Sequence, residues 1–176
     1  MTHRIFLFCL FVLLFPVLLH AQRDNPLTKE QTSWLSKANR HEKNGWIYLH
    51  IEGTARERGF QYGYLMANDI KEALRVLKVA WGYQTSTEWS WVVEKGAAMF
   101  TPKVDAENLA EIDGIAEGMN AAGISTSRDE LVAYNGWMEL LWYWWPTVKD
   151  SIAPNTPAPL KESCSSFIAT GSMTAD

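Results

Sequence analysis

The stretch TARERGFQYGYLMANDIKEALRVLKVAW, residues 54–81, sets the fold of this chain. Phe60, Tyr64, Ala67, Ile70, Leu74, Leu77 and Trp81 recur in it at spacings of three and four. That period draws one apolar stripe along a helix. Thr54 and Glu57 stand where a capping box needs them, the hydroxyl and the carboxylate each taking an orphan N–H. The pattern therefore predicts one long helix from Thr54 to about Trp81. Gly59 and Gly63 lie four apart on a neighbouring face, and each weakens a helix by about 1 kcal/mol relative to Ala. The close approach of another backbone, with the preceding strand as the candidate, would offset that cost. A poorly formed first turn is the other explanation.

The same signals recur on both sides. Upstream, Asn25-Pro26 predicts a helix start. Leu27, Trp34, Leu35 and Ala38 share one face of a helix expected to end near Asn44-Gly45. Trp46-Ile47-Tyr48-Leu49-His50-Ile51 is rich in aromatic and β-branched residues and predicts a short strand. Downstream, Thr85-Ser86-Thr87-Glu88 opens a helix carrying Trp89, Val92, Val93 and Met99. Thr101-Pro102 breaks it. The next helix carries Leu109, Ile112, Ile115, Ala116 and Met119, with Gly123 as its C-terminal cap. Ser127-Arg128-Asp129-Glu130 predicts a second capping box. The helix from there to Trp145 buries Leu131, Tyr134, Met138, Leu141 and Trp145 by spacing.

The flanks differ in character. In residues 1–21, Arg4 precedes a 15-residue uncharged run from Ile5 to Leu19, and Leu19-His20-Ala21 offers a small residue at the end. This predicts a cleavable signal peptide, and a secreted or periplasmic protein, because a membrane span needs about 20 residues. Residues 146–162 hold four of the seven prolines and no hydrophobic period, which predicts an extended linker. Ser163 to Thr170 then reads as a strand. The expected organisation is a signal peptide (1–21), a mainly helical region with one short strand (22–145), a proline-rich linker (146–163) and the start of a β-containing unit (164–176).

Composition narrows the function. The 176 residues are 47% apolar and 20% charged, with a net charge of −4. No basic excess supports nucleic-acid binding. Two Cys and four His residues show no metal-ligand spacing, and the sequence calls for no cofactor. Glu107, Glu111 and Glu117 read as a solvated helix face, and His41 and His50 as structural or surface residues. Trp137, Trp142, Tyr143, Trp144 and Trp145 read as a packed aromatic core, as a surface for a further domain, or as a site for an apolar ligand.

Cys164 carries the sharpest chemistry. Loss of the signal peptide removes Cys9 and leaves Cys164 the sole cysteine of the mature chain. Cleavage of the Ser163–Cys164 bond would give it a free α-amine. That amine has an unperturbed pKa of about 7.7–8.0, low enough to take the proton of its own thiol. The thiol itself could make the cut by attacking the Ser163 carbonyl, forming a thioester that water opens.

Ser163-Cys164-Ser165-Ser166-Phe167-Ile168-Ala169-Thr170-Gly171 with Thr174-Ala175-Asp176 resembles the nucleophile strand of the N-terminal-nucleophile (Ntn) hydrolases. The similarity is to the autoproteolytic family of acyl-CoA:6-aminopenicillanic acid acyltransferase-like proteins and the related phospholipase B-like proteins. Ile51 to Gly63 is similar to that family's early strand–turn–helix, and Leu109 to Gly118 to its later acidic helix. The resemblance implies an αββα sandwich beginning at Cys164, with Cys164 as nucleophile and Ser163 preceding the scissile bond. It implies a small-molecule or lipid acyl substrate, attacked at an amide or ester carbonyl. Most of that sandwich would lie beyond Asp176, so the chain alone is not expected to act as an enzyme. The rival expectation is a non-enzymatic secreted helical module that binds an apolar ligand or partner through its Trp-rich helix.

Overall fold

The computed structural model describes residues 26–157. The signal peptide, Ser163, Cys164 and the segment after them lie outside the described residues. What is described is mainly helical, with one two-stranded antiparallel sheet.

Helix α1 (Lys29–Leu35) starts three residues later than Asn25-Pro26 suggests, because Thr28 and Gln31 form a reciprocal capping box there. The chain then leaves the helix and forms β1 (Asn39–Lys43) and β2 (Trp46–His50). Their register pairs Lys43 with Trp46 and Asn39 with His50, so Asn44-Gly45 is a two-residue loop. Both loop residues have positive φ, 55° and 79°. That is what a type I′ hairpin turn demands, and Asn-Gly is its preferred sequence. The expected long first helix is thus replaced by a short helix and a strand.

Thr54 and Glu57 cap α2 (Ala55–Leu65) as the sequence requires. The long helix is interrupted once. Met66 leaves helical geometry at φ −109° and ψ 13°, and α3 (Ala67–Thr85) starts after it. The hydrogen bonds from Met66 N–H to Tyr62 O and from Ile70 N–H to Met66 O, both 2.9 Å, hold across the step. The apolar stripe survives it: Phe60, Ala67, Leu74, Leu77 and Trp81 are all buried.

Helix α4 (Trp89–Phe100) ends in a 3₁₀ turn at Thr101–Lys103, where Pro102 stops it. Asp105 caps α5 (Ala106–Ala121) by accepting from the Asn108 N–H. At its far end Ile124 N–H donates to Met119 O and Gly123 N–H to Asn120 O. With Gly123 at φ +81°, this is a Schellman close.

Helices α2 and α5 form the central pair. Gly59 lies against the backbone of Glu111 and Ile115, and Gly63 against Ile115. Gly114 lies against Arg56 and Phe60, and Gly118 against Phe60 and Tyr64. The register rises together on both helices, so they run in parallel. The backbone that offsets the cost of Gly59 and Gly63 therefore belongs to α5, not to the preceding strand.

Helix α6 (Arg128–Asn135) leads through Gly136 into α7 (Trp137–Glu139), a π turn (Leu140–Trp144) and α8 (Trp145–Ile152). The π turn widens the helix locally and shifts the phase of the residues around it. Leu131, Leu141 and Trp145 are buried as the spacing predicts, but Met138 is 45% exposed. The helix also continues into the expected linker. Pro146 sits in the first turn of α8, a position where its missing N–H costs nothing. The helical region therefore runs to Ile152 before the chain turns at Ala153.

Two apolar clusters result, and α3 runs through both. Ala67, Leu74, Ala116, Met119 and Leu131 form one. Leu77, Trp81, Trp89, Val92, Ala133, Leu140, Leu141 and Trp145 form the other.

Candidate functional site

The two residues that carry the expected chemistry, Ser163 and Cys164, lie outside the described residues. The helical region upstream of them offers groups that could hold, orient or recognise a substrate.

The tryptophans are the first candidates. Trp81 and Trp145 are fully buried, with ring centroids 6.3 Å apart and edge to face. Trp89 meets Trp81 at 6.1 Å, Trp91 stacks on Trp144 at 5.1 Å, and Trp137 meets Trp142 at 5.6 Å. These are favourable aromatic geometries, worth about 0.5–1.5 kcal/mol per pair beyond area burial. Trp91, Trp137, Trp142 and Trp144 are partly buried and pack on the same cluster. The rings contact one another, so the cluster is core packing across α3, α4 and the π turn.

Trp145 Nε1 is buried without a hydrogen-bond partner among the described residues, but other polar groups around this core are paired. Trp81 Nε1 donates to Thr87 Oγ1 at 2.8 Å, and the Thr85 hydroxyl donates to Trp81 O at 2.8 Å. Glu130 is a junction that the sequence alone does not reveal. Its backbone N–H donates to the Ser127 hydroxyl, but its side chain does not close the expected capping box. Instead the carboxylate accepts from Trp89 Nε1 at 3.2 Å and from Thr126 Oγ1 at 2.9 Å, and pairs with Lys78 Nζ at 2.6 Å. One carboxylate thus joins α3, α4 and α6. Lys78, four residues before Gly82 on a polar face, gives no sequence cue of this meeting.

Glu107, Glu111 and Glu117 are not a simple solvated face. Arg58 pairs with Glu111 at 3.0 Å and Glu107 at 3.3 Å. Arg56 pairs with Glu117 at 2.7 Å, and Gln31 Nε2 donates to the same carboxylate at 2.9 Å. Arg128 pairs with Asp113. The hydrogen bond to Glu111 leads the causes that hold the Arg58 guanidinium above its ordinary pKa, with Glu107 next. The bond to Glu117 does the same for Arg56. Glu107, Glu111 and Glu117 thus bridge α5 to α2 beside the glycine seam, and Asp113 bridges α5 to α6. A general acid or base needs a titrating proton within reach of a substrate, and these groups are engaged by arginines.

Gln61 is a fully buried polar residue in the middle of α2. Its Oε1 accepts from Glu52 N–H at 2.8 Å, and its Nε2 donates to Trp34 O at 2.9 Å and Glu52 O at 3.0 Å. It ties α1 and the end of the hairpin to the helix pair. Trp34 also packs edge to face on Phe60, with centroids 5.4 Å apart. Glu57 is held below the ordinary glutamate pKa, first by the Thr54 backbone N–H at 2.8 Å, then by the Thr54 hydroxyl, with Lys37 adding to it.

His41 and His50 are both on the hairpin. His41 stacks on Tyr48 at 5.0 Å, and His50 Nε2 lies 3.4 Å from Glu52 Oε2. Among the described residues no group of three His, Cys, Asp or Glu side chains is placed to hold a metal ion. Among them, too, no helix is long and apolar enough to cross a membrane.

Comparison of the chain with protein-family models, with curated proteins and with solved structures returns no match in any of the three. The described residues build a mainly helical body with one hairpin, and Ser163 and Cys164, which carry the expected chemistry, lie outside them.

Proposed function

We propose that this chain is the N-terminal part of a secreted, self-processing cysteine hydrolase or acyltransferase of the Ntn type, with Cys164 as its nucleophile. The observation that carries this reading is the segment Ser163 to Asp176: the sole mature cysteine opens a strand-like stretch directly after a proline-rich run. Support comes also from the two upstream stretches that share the family resemblance. Ile51–Gly63 and Leu109–Gly118 meet face to face through their glycines.

In self-processing, the Cys164 thiolate adds to the Ser163 carbonyl. Collapse of the adduct breaks the C–N bond and leaves a thioester, with Cys164 keeping a free α-amine. Water then opens the thioester, releasing a Ser163 carboxylate and the thiol. In turnover the α-amine takes the thiol proton and the thiolate attacks an amide or ester carbonyl of the substrate. The leaving amine or alcohol departs with that proton, and water or an acceptor nucleophile takes the acyl group from sulfur. An acyl amide or a lipid acyl ester is the substrate class.

The test is trapping of the acyl-enzyme in the full-length protein. Incubation with an activated acyl ester is expected to leave a hydroxylamine-labile adduct on the peptide that begins at Cys164. An adduct confined to other residues, or one retained by Cys164→Ala, overturns the proposal.

A further inference from the structure

The tripeptide Asn-Gly-Trp occurs twice in this chain, at Asn44-Gly45-Trp46 and at Asn135-Gly136-Trp137. Asparagine before glycine is prone to intramolecular deamidation, because glycine leaves the backbone nitrogen that follows unshielded. The neighbours are the same at both places, so the fold alone separates them.

The nucleophile is the backbone nitrogen of the glycine. In a two-residue hairpin loop the ladder bonds are made by the residues flanking the turn, here Lys43 and Trp46. Among the described residues nothing accepts the Gly45 N–H and nothing holds the Asn44 carboxamide. Both residues are exposed. Chain neighbours aside, no described atom lies within 4 Å of the place where a Gly45 side chain would begin. At the second site the Gly136 N–H donates to Val132 O at 3.1 Å, and Asn135 Nδ2 donates to Leu131 O at 2.9 Å. The Phe100 ring lies against Gly136. Attack there must first break both bonds.

Ring closure also demands backbone freedom. Asn44 sits in its turn at φ 55°, and its carboxamide must swing onto the Gly45 nitrogen. A hairpin of two five-residue strands is marginal by itself. The helical core leaves this one largely uncovered, with Trp46 71% and Tyr48 48% exposed. Its turn therefore opens at the low end of the range of local unfolding. Gly136 instead joins α6 to α7 between Ala133 and Leu140, both fully buried. Opening it disturbs the tryptophan cluster.

We propose that Asn44 is a site of spontaneous deamidation in the folded protein, and that Asn135 is protected. The Gly45 nitrogen gives its proton to solvent and bonds to Asn44 Cγ. The carboxamide C–N bond breaks, and ammonia leaves with a proton from water. The five-membered succinimide then takes up one water. Opening at Cγ gives an aspartate, which keeps the main chain and suits the same turn. Opening at the main-chain carbonyl gives an isoaspartate, whose backbone runs through the β-carbon. The extra methylene does not fit a two-residue loop, so the Lys43–Trp46 pair is lost and the hairpin opens from its tip.

Peptide mapping by mass spectrometry tests this on the full-length protein, held folded in mildly alkaline buffer. The peptide with Asn44 is expected to exchange its amide for a carboxylate at least about tenfold faster than the peptide with Asn135. An isoaspartyl carboxyl methyltransferase should label the first and not the second. In guanidinium chloride the two rates should converge, because the tripeptide is the same. Amide hydrogen exchange in the isoaspartate fraction should rise at Lys43 and Trp46 while α2 and α5 amides stay protected. Equal conversion of both asparagines in the folded protein overturns the proposal. So does an Asn44 that stays intact in the folded protein while it reacts in denaturant. Isoaspartate that leaves Lys43 and Trp46 protected overturns the loss of the turn.

Discussion

Gly59 and Gly114 each present a hydrogen where a methyl group would strike the backbone of the facing helix, at Glu111 and Arg56 respectively. Backbone cannot swing aside as a side-chain tip can. Gly59→Ala and Gly114→Ala each gain about 1 kcal/mol of helix propensity, yet overpacking of this kind costs about 1–3 kcal/mol or more. The urea midpoint of each variant is therefore expected to fall. Gly123 differs: it has open space but φ +81°, so Gly123→Ala strains the local turn alone and costs about 1–2 kcal/mol. Glu57 adds a pH-dependent term. Its pKa is lowered in the folded chain, first by the Thr54 N–H, so its contribution is present above the ordinary glutamate value of about 4.3. That contribution disappears as pH falls through the lowered native value. Melting temperatures of the native chain and Glu57→Gln should differ at pH 6 and converge near pH 2. The glycine pairs are visible in the sequence as a cost without a cause. The cause sits some 50 residues away on α5, and nothing local names it.

The elements show why some of the fold is legible in the sequence and some is not. The stripe from Phe60 to Trp81 has the helical period and is buried as that period requires. Asn44-Gly45 is a strong hairpin signal, but β1 is polar throughout and lacks the alternation that marks a strand. The apolar positions from Leu27 to Ala38 draw a helix over it instead. The step at Gly136, φ −91° and ψ 9°, breaks the phase that would bury Met138, and the π turn at Leu140–Trp144 after it has no residue signature. Pro146 marks a helix start as readily as a linker. These differences are measurable. Met138→Gln is expected to change stability by less than about 0.5 kcal/mol. Leu141→Ala, three residues on, should cost about 2–5 kcal/mol, and Trp145→Ala about 3–5 kcal/mol. Denaturation monitored by tryptophan fluorescence reads all three. A Met138 variant as damaging as Leu141→Ala would mean an unbroken helix from Leu131 through Gly136.

At the scale of the molecule, the described residues form two apolar clusters threaded by α3 and bordered by ion pairs on the α2–α5 seam. Most of those pairs are solvent-accessible, so each is worth about 0–1 kcal/mol and their role is register. Glu117→Gln should accordingly lower stability by less than about 1 kcal/mol, and the difference should shrink in high salt. The candidate site is legible only as residue types in order: an expected leader, a helical region, a proline-rich run, then Ser163-Cys164. The helical part corrects the roles of Glu107, Glu111 and Glu117 and agrees with the packed-core reading of the tryptophans, because spacing cannot show which arginine or which ring lies across the gap. A self-processing nucleophile at Cys164 must become a chain terminus. Intact-mass spectrometry of the mature full-length protein reads this directly. Two chains are expected, one ending at Ser163 and one beginning at Cys164, with a single uncut chain in Cys164→Ala. A mature protein that stays uncut between Ser163 and Cys164 would show that Cys164 is not an N-terminal nucleophile.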